Sequence, residues 1–267
     1  MRYFAKITTT FALALVFSAG MAFGQNHDAD LDQVGDENSA TIDQTVNADA
    51  LSDGHRATAR QAGNRNKLTL NQRDFGSAHE ASVLQSGDDN YADLLSQGGV
   101  GSNDLIVNQV GDGNEADVTH FIGSHVNRVR QAGDGNDAEI SQRSSFDNFV
   151  RIQQRGNNNT GTVQDDGQSE DGASGSSAVI DQFGNQNNGT ITHVGSNLDA
   201  DMEQDGFSNE ATISQEDGMM GPVSDNSADI LQDGNFNTST VTQSSSGNMA
   251  DVVQIGDGNT STITQDN

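Results

Sequence analysis

Apolar and polar residues alternate with a period of two along this chain, in short segments that recur at near-regular intervals. In one segment, Ala138 and Ile140 alternate with polar residues between Asn136 and Gln142. Such alternation indicates a β-strand with one buried face. The same Asn-x-small-x-aliphatic-x-Gln pattern occurs twice in each repeat. We therefore predict two strands of one design per repeat.

A six-residue motif, Gln-x-Gly-x-x-Asn, joins the two predicted strands and occurs ten times, with copies starting 22 to 28 residues apart. A self-similar period of roughly 20–50 residues is typical of solenoids, propellers and arrays. We predict that Gln ends the first strand and that Asn begins the second. Gly would make the turn between them, where a positive φ or a close backbone approach is needed. The predicted ladder and turn residues are Gln33, Gly35, Asn38, Gln61, Gly63, Asn66, Gln85, Gly87, Asn90, Gln109, Gly111, Asn114, Gln131, Gly133, Asn136, Gln154, Gly156, Asn159, Gln182, Gly184, Asn187, Gln204, Gly206, Asn209, Gln232, Gly234, Asn237, Gln254, Gly256 and Asn259.

The identical inward patterns of the two strands favour a β-arch over a hairpin. In an arch, the strands face each other across a thin core and pair with the repeats above and below. A hairpin stays open as an alternative, although an isolated two-stranded hairpin is marginal in water. The sequence thus predicts an all-β fold, a β-solenoid of about ten strand–turn–strand rungs with cross-β stacking, over residues 25–267. The longest connectors, 45–54, 166–175 and 216–225, are rich in Asp, Ser and Gly.

Each repeat offers few large apolar residues, so other interactions must hold the rungs together. Ladders of Gln and Asn side chains form when identical residues stack at about 4.7–4.8 Å. The first and last repeats keep the full motif, and neither resembles the polar cap of a soluble solenoid. Since an uncapped sheet edge templates another chain, we predict self-assembly into a fibre.

Composition and charge bear on two alternatives, a disordered chain and a protein that binds nucleic acid or anionic membranes. The 267 residues carry a formal net charge of −27 and only 32% hydrophobic residues, which also fits disorder. Positional periodicity disfavours that alternative, because disordered chains do not need it. Beyond the N-terminal segment, every Lys and Arg lies between Arg56 and Arg155. The acidic remainder should repel nucleic acid and anionic membranes, so we expect no nucleic-acid partner.

The N-terminal segment resembles an export signal. Arg2 and Lys6 precede an apolar run from Phe11 to Phe17, and small residues follow up to Gly24. We interpret residues 1–24 as a secretory signal peptide. The apolar run is too short to span a membrane. The remaining chain is expected to be secreted, and it has no Cys.

The doubled strand pattern with its x-Gly-x-x-Asn turn resembles the curlin repeat of curli fibre subunits. This resemblance implies an extracellular functional amyloid at the bacterial cell surface, used in adhesion and biofilm matrix, as either the major subunit or the minor nucleator. It also implies self-association, a second curlin-like subunit, an outer-membrane secretion pore and accessory chaperones as partners. The chain departs from the pattern at a few positions. The closing Gln, which ends the second strand pattern of a repeat, is replaced in three repeats and displaced in one. In one further repeat, the small residue of the first strand is Asn. These positions are Gln97, His120, Asn127, Asp165 and His193.

The six histidines fall on predicted ladder positions. His27, His55, His79 and His125 stand six residues before a motif Gln, and two more replace the closing Gln. One interpretation is that imidazole substitutes for an amide as donor and acceptor. Alternatively, the stacked histidines of the first three repeats respond to pH or metal, because protonating close neighbours is unfavourable.

Other chemistry has weaker support in the sequence. Gly-Asp-Gly-Asn runs such as 111–114 faintly resemble calcium-binding nonapeptides, but the period here is much longer. No Ser/His/Asp grouping, zinc spacing or phosphate loop stands out, so we predict no enzyme, no cofactor and no metal site. The alternative function is a monomeric secreted β-solenoid adhesin or a cation-binding repeat protein. An ice-binding form would need a flat threonine array, and threonines are frequent only towards the C-terminus.

Overall fold

The computed structural model describes most of the predicted repeat region. The signal-peptide prediction for residues 1–24 and most of each long connector lie outside the described residues. The described ranges are 27–46, 54–74, 78–97, 101–121, 123–143, 147–166, 175–216 and 225–266. None of these segments forms a helix that could cross a membrane.

The described chain folds into twenty β-strands of 7 to 10 residues and contains no helix. Each repeat supplies two consecutive strands, which we call a rung, so that rung 1 is β1 and β2 and rung 10 is β19 and β20. The strands are β1 Asp28–Val34, β2 Ser39–Val46, β3 Arg56–Ala62, β4 Lys67–Asp74, β5 Glu80–Ser86, β6 Tyr91–Gln97, β7 Asp104–Val110, β8 Glu115–Phe121, β9 His125–Ala132, β10 Asp137–Arg143, β11 Asn148–Arg155, β12 Thr160–Asp166, β13 Ser177–Asn185, β14 Asn188–Val194, β15 Leu198–Phe207, β16 Glu210–Glu216, β17 Asn226–Asn235, β18 Thr238–Ser244, β19 Met249–Ile255 and β20 Thr260–Asp266.

The strands form two parallel sheets of ten strands each. All odd-numbered strands make sheet A in chain order, and all even-numbered strands make sheet B. Equivalent residues of successive repeats pair directly, as Gln109 does with Gln131 and Gln131 with Gln154. Among the described strands, the two strands of a rung lie in different sheets and do not pair. The β-arch solenoid with cross-β stacking is therefore confirmed, and the hairpin alternative is wrong.

The core is a thin apolar layer between the two sheets. Along β10 buried and exposed residues alternate, with Ala138 and Ile140 fully buried. Equivalent small and aliphatic residues of every inner rung join one continuous cluster. Leu31, Ile42 and Ile263, in the first and last rungs, are only partly buried because one side of each end rung has no neighbour within the chain.

The turn between the strands of each rung requires glycine for two reasons. All ten motif glycines have φ between +101° and +130°, which side chains rarely tolerate. In addition, a Cβ on Gly133 would lie 2.0 Å from the carbonyl oxygen of Gly156 in the next rung. The rungs can stack at strand spacing only because this position has no side chain.

Candidate functional site

The motif glutamines form a continuous amide ladder along the inward face of sheet A, where each strand meets its turn. The Nε2 of each Gln donates to the Oε1 of the Gln in the next rung, at 2.5 to 3.0 Å in all nine steps. Gln131, which is fully buried, also donates to the carbonyl oxygen of Glu115 at 2.7 Å. Because Glu115 belongs to sheet B of the preceding rung, the ladder joins the two sheets as well as successive rungs.

The motif asparagines form a second ladder. Their backbone N–H groups donate to the preceding rung, whereas the glutamine side chains donate to the next rung. The backbone N–H of Asn136 donates to Oδ1 of Asn114 in the preceding rung at 3.1 Å, and the same bond recurs at every step. The Nδ2 of Asn136 donates to the carbonyl oxygen of Gly156 at 2.8 Å. The asparagines thus hold each glycine turn against the next one.

A third ladder, at the residue after the motif glycine, is not among the sequence predictions. The backbone N–H of Asp112 donates to Oδ1 of Asp134 at 3.0 Å, and that of Asp134 to Oδ1 of Asn157 at 2.8 Å. Eight of the nine steps have this bond. The exception precedes Phe207, whose side chain offers no acceptor. Asp or Asn at nine of ten copies was the signal that could have revealed it.

The closing residues of the sheet B strands form one in-register column, which has amide ladders only near its two ends. Gln44 donates to Gln72 at 2.9 Å, and Gln215 donates to Gln243 at 2.8 Å. Between them the in-register residues are Ser96, His120, Gln142, Asp165 and His193.

The sequence interpretation of Gln97 as a displaced closing residue is wrong. Ser96 occupies the ladder column and is buried, whereas Gln97 lies on the outward face of β6. The reason is the strand period: Ala92 and Leu94 point inward, so the next inward residue is Ser96.

The N-terminal histidines stack as the amides do elsewhere. The ring centroids of His27 and His55 lie 5.2 Å apart, and those of His55 and His79 lie 4.9 Å apart with nearly parallel planes. The backbone N–H of His55 donates to Nδ1 of His27 at 3.0 Å, and that of His79 to Nδ1 of His55 at 3.1 Å. Imidazole nitrogens therefore accept the bond that Asn Oδ1 accepts in the motif column, which favours the amide-substitute interpretation.

Three ionisable side chains lie buried in the interrupted column of sheet B. Burial raises the pKa of Asp165 to about 7, although bonds from Asn148 and Gln142 oppose this shift. Burial lowers the pKa of His193 to about 4. Burial, and then His125 and His79, lower the pKa of His120 well below its ordinary value. Near neutral pH both histidines are uncharged, whereas Asp165 changes its charge in this range and is the one of the three groups that can bring a charge into the column. Among the described residues, no three His, Asp or Glu side chains converge as metal ligands.

Comparison with known families agrees with this geometry. The family model of the Curlin associated repeat matches residues 102–143, 174–206, 195–220 and 224–266. The chain belongs to the curlin-repeat family. The curlin repeats led by Gln33, Gln61, Gln85 and Gln154 lie outside the matched ranges, yet their strands pair in the same two sheets. No curated protein matched the chain.

Proposed function

We propose that this curlin-repeat protein is a structural subunit of an extracellular, curli-like amyloid fibre that grows by stacking rung 10 of one copy on rung 1 of the next. The observation that carries the proposal is that the two end rungs could stack on each other. Both end rungs keep the ladder residues, and their free hydrogen-bonding groups are complementary.

The polar groups of the end rungs match as donor and acceptor. Among the described residues, Gln33 Oε1 accepts no hydrogen bond, while Gln254 Nε2 donates only to the carbonyl oxygen of Thr238. In a head-to-tail stack, Gln254 would donate to Gln33 of the next copy and continue the ladder. At the turn, Asn259 Oδ1 would accept the backbone N–H of Asn38. Each contact repeats one found inside the chain.

The apolar groups of the end rungs also match. Placed one above the other, Val252 would cover Leu31 and Ile263 would cover Ile42. These are the aliphatic columns of sheets A and B. Leu31, Ile42 and Ile263 are only partly buried in the single chain. Completing their burial contributes about 25 cal/mol per Å² of apolar surface removed from water.

The remaining partners and the location are also part of this proposal, and the resemblance to curli subunits supports them. Residues 1–24 would direct export as a signal peptide and then be cleaved. The remaining chain would pass an outer-membrane pore with the help of accessory chaperones. It would stack at the cell surface, together with a second curlin-like subunit. The fibre would serve adhesion and biofilm matrix, as a structural protein without catalysis.

One observation favours the alternative of a secreted β-solenoid adhesin that remains monomeric. The central outward column of sheet B carries threonine in five successive rungs: Thr162, Thr190, Thr212, Thr240 and Thr262. Such a flat, uncharged array suits contact with an extended hydroxylated surface. It would serve adhesion equally well on a fibre, so the state of assembly decides between the two.

The deciding experiment follows thioflavin fluorescence and fibre diffraction of the chain that starts at residue 25. We expect cross-β reflections at about 4.7–4.8 Å. Two variants, Leu31→Asp and Ile263→Asp, each place a charge on one end only. Each alone should fail to elongate, and their mixture should form a capped dimer from the two intact ends. Thr262→Asp, which faces outward on β20, is the matched control. A chain that stays monomeric without cross-β reflections would contradict the fibre proposal and favour the monomeric adhesin.

A further inference from the structure

The outward face of sheet A carries an antisymmetric arrangement of charge. One column of in-register residues along rungs 5 to 9 reads Arg128, Arg151, Val179, Asp201 and Asp229. Two cations thus precede an apolar centre, and two anions follow it. Reversing the direction of the column exchanges every cation with an anion.

A second outward column has the same order, and it is separated from the first by the column of Arg130, Gln153, Asp181, Glu203 and Leu231. Arg155 in rung 6, Phe183 in rung 7 and Asp205 in rung 8 are in register. Arg128 and Arg155 lie against the rings of Phe149 and Phe183, at 5.8 and 5.6 Å. None of the ion pairs between described residues involves these two arginines, whereas Arg151 pairs with Asp181 at 2.7 Å. The face therefore presents cations that have no described carboxylate partner.

The acidic half of the face carries repulsion that the single chain relieves only in part, through Arg151 near Asp201. Asp201, Asp229 and Asp251 are stacked in three successive rungs. Burial raises the pKa of Asp201, and the neighbouring Asp181 and Asp229 raise it further. Burial also raises the pKa of Asp229, with added repulsion from Asp199 and Asp251. Cations placed over this column would stabilise it.

We propose that two copies of this chain pair face to face through sheet A, with antiparallel solenoid axes and a two-fold axis that runs along the strands of rung 7. Under this symmetry, Arg128 faces Asp229 of the second copy, Arg151 faces Asp201 and Arg155 faces Asp205. Each pair occurs twice, because a two-fold interface is self-complementary. Val179, Asp181 and Phe183 meet their own copies at the centre, and each Asp181 is paired with Arg151 of its own copy.

Charge also selects between the two possible orientations. With parallel axes, the same rungs would face each other with strand direction reversed, so that Arg128 would oppose Arg130 and Asp201 would oppose Glu203. Like charges placed across an interface oppose association. The antiparallel pair avoids these contacts. It also brings Val110 of rung 4, which is 46% exposed, onto Ile255 of rung 10, which is 73% exposed.

The paired area is sufficient for a weak, specific dimer. Rungs 4 to 10 span roughly 30 Å along the axis at strand spacing, and the strands span roughly 20 Å. Each copy would then bury roughly 600 Å², which places the total at the lower limit of specific interfaces. Since much of the complementarity is electrostatic and near solvent, pairing should weaken as salt increases. It uses the outward face of rung 10 but not the open sheet edge of either end rung, so it does not depend on the proposed fibre.

A charge-exchange experiment tests the pairing. One variant carries Arg128→Glu with Arg155→Glu, and the other carries Asp205→Arg with Asp229→Arg. Each variant opposes like charges in its own homodimer, whereas a mixed pair restores opposite charges at all of these positions. Sedimentation velocity at low ionic strength should show wild-type dimers and a dimer dissociation constant about tenfold or more weaker for either variant alone. The equimolar mixture should recover dimers.

Matched controls separate the face from net charge and from end stacking. Arg73→Glu with Arg143→Glu makes the same change in net charge on sheet B and should leave dimerisation at the wild-type level. Thioflavin kinetics report rung stacking, which the face variants leave intact, so a failed fibre and a failed pair are distinguishable. Absence of salt-sensitive wild-type dimers, or a mixture no more dimeric than the variants alone, would overturn the pairing.

Discussion

Replacing one buried ladder glutamine tests how much the amide columns hold the rungs together. In Gln131→Leu, a side chain of similar size keeps the packing but removes every polar contact. Gln131 donates to Gln154, to the carbonyl oxygen of Glu115 and to that of Asn136, and it accepts from Gln109. Each net hydrogen bond contributes about 1 kcal/mol, and leaving Gln154 Oε1 buried without a donor costs about 1–3 kcal/mol. With the other three bonds at about 1 kcal/mol each, the expected loss is about 4–6 kcal/mol.

The position of the glutamine in the stack should set the size of this loss. Gln33, at the N-terminal end, donates to Gln61 and accepts from no described residue. Gln33→Leu leaves Oε1 of the buried Gln61 without its donor, and so it should cost about 1–3 kcal/mol in the single chain. In a fibre Gln33 would become internal, so its substitution should then approach the cost at Gln131. Gln153→Leu, on the outward face of β11, is the control and should stay within about 0.5 kcal/mol of wild type.

Hydrogen exchange with mass spectrometry measures these effects rung by rung, which suits a repeat protein whose stability is nearly a sum of neighbouring contacts. Peptides from β9 to β12 should open far more readily in Gln131→Leu, while β17 to β20 should change little. A loss at Gln131 no larger than at Gln153 would refute the view that the amide ladder stabilises the stack.

Further substitutions test the turn and the buried ionisable groups. Gly133→Ala should separate rungs 5 and 6 and lower the free energy of unfolding by more than about 2 kcal/mol, because φ at this position is +121° and the new Cβ would meet Gly156. Gly113→Ala has open space around its Cβ and should lower it by only about 1–2 kcal/mol. Thermal unfolding measures both losses. The raised pKa of Asp165 means that the folded state holds its proton more tightly, so stability around β12 should fall as pH rises from about 4 to about 7, and Asp165→Asn should remove this slope in hydrogen exchange. His193 gives the opposite slope: its pKa is lowered to about 4, so stability around β14 should fall as pH decreases from about 6.5 to about 4, and a His193→Gln variant that kept the same acid sensitivity would contradict this assignment.

Much of the architecture could be read from the chain because two independent patterns agree. Alternation fixes which residues of a strand point inward, and the repeated Gln fixes which residues of successive strands align. Together they determine register, since a slip of one residue would turn Ile140 outward. The same reasoning excludes Gln97 from the ladder, because the strand period places Ser96 in the inward column even though Gln97 has the matching residue type.

Other features depend on properties that are not local in the sequence. Alternation with Val163 places Asp165 on the inward face, but its pKa depends on how completely the facing sheet and the neighbouring rungs cover it, which no local pattern gives. The match of Arg151 with Asp201 appears only when residues of separate repeats are placed in one column. The ladder at Asp112 and Asp134 was visible as a preference for Asp or Asn, but its backbone donor became clear only from the turn geometry.

The upper face of one rung is complementary to the lower face of the next, and this has a consequence for how such a chain can change over evolution. Deleting or duplicating one whole repeat would join surfaces that already fit, so the length of the protein can vary without redesign of any remaining contact. Insertions of one or two residues are tolerated only outside the strands, which agrees with the 22 to 28 residue spacing between repeats. The paired charges on sheet A limit this freedom, because a repeat gained or lost between Arg128 and Asp229 would break their symmetry about rung 7.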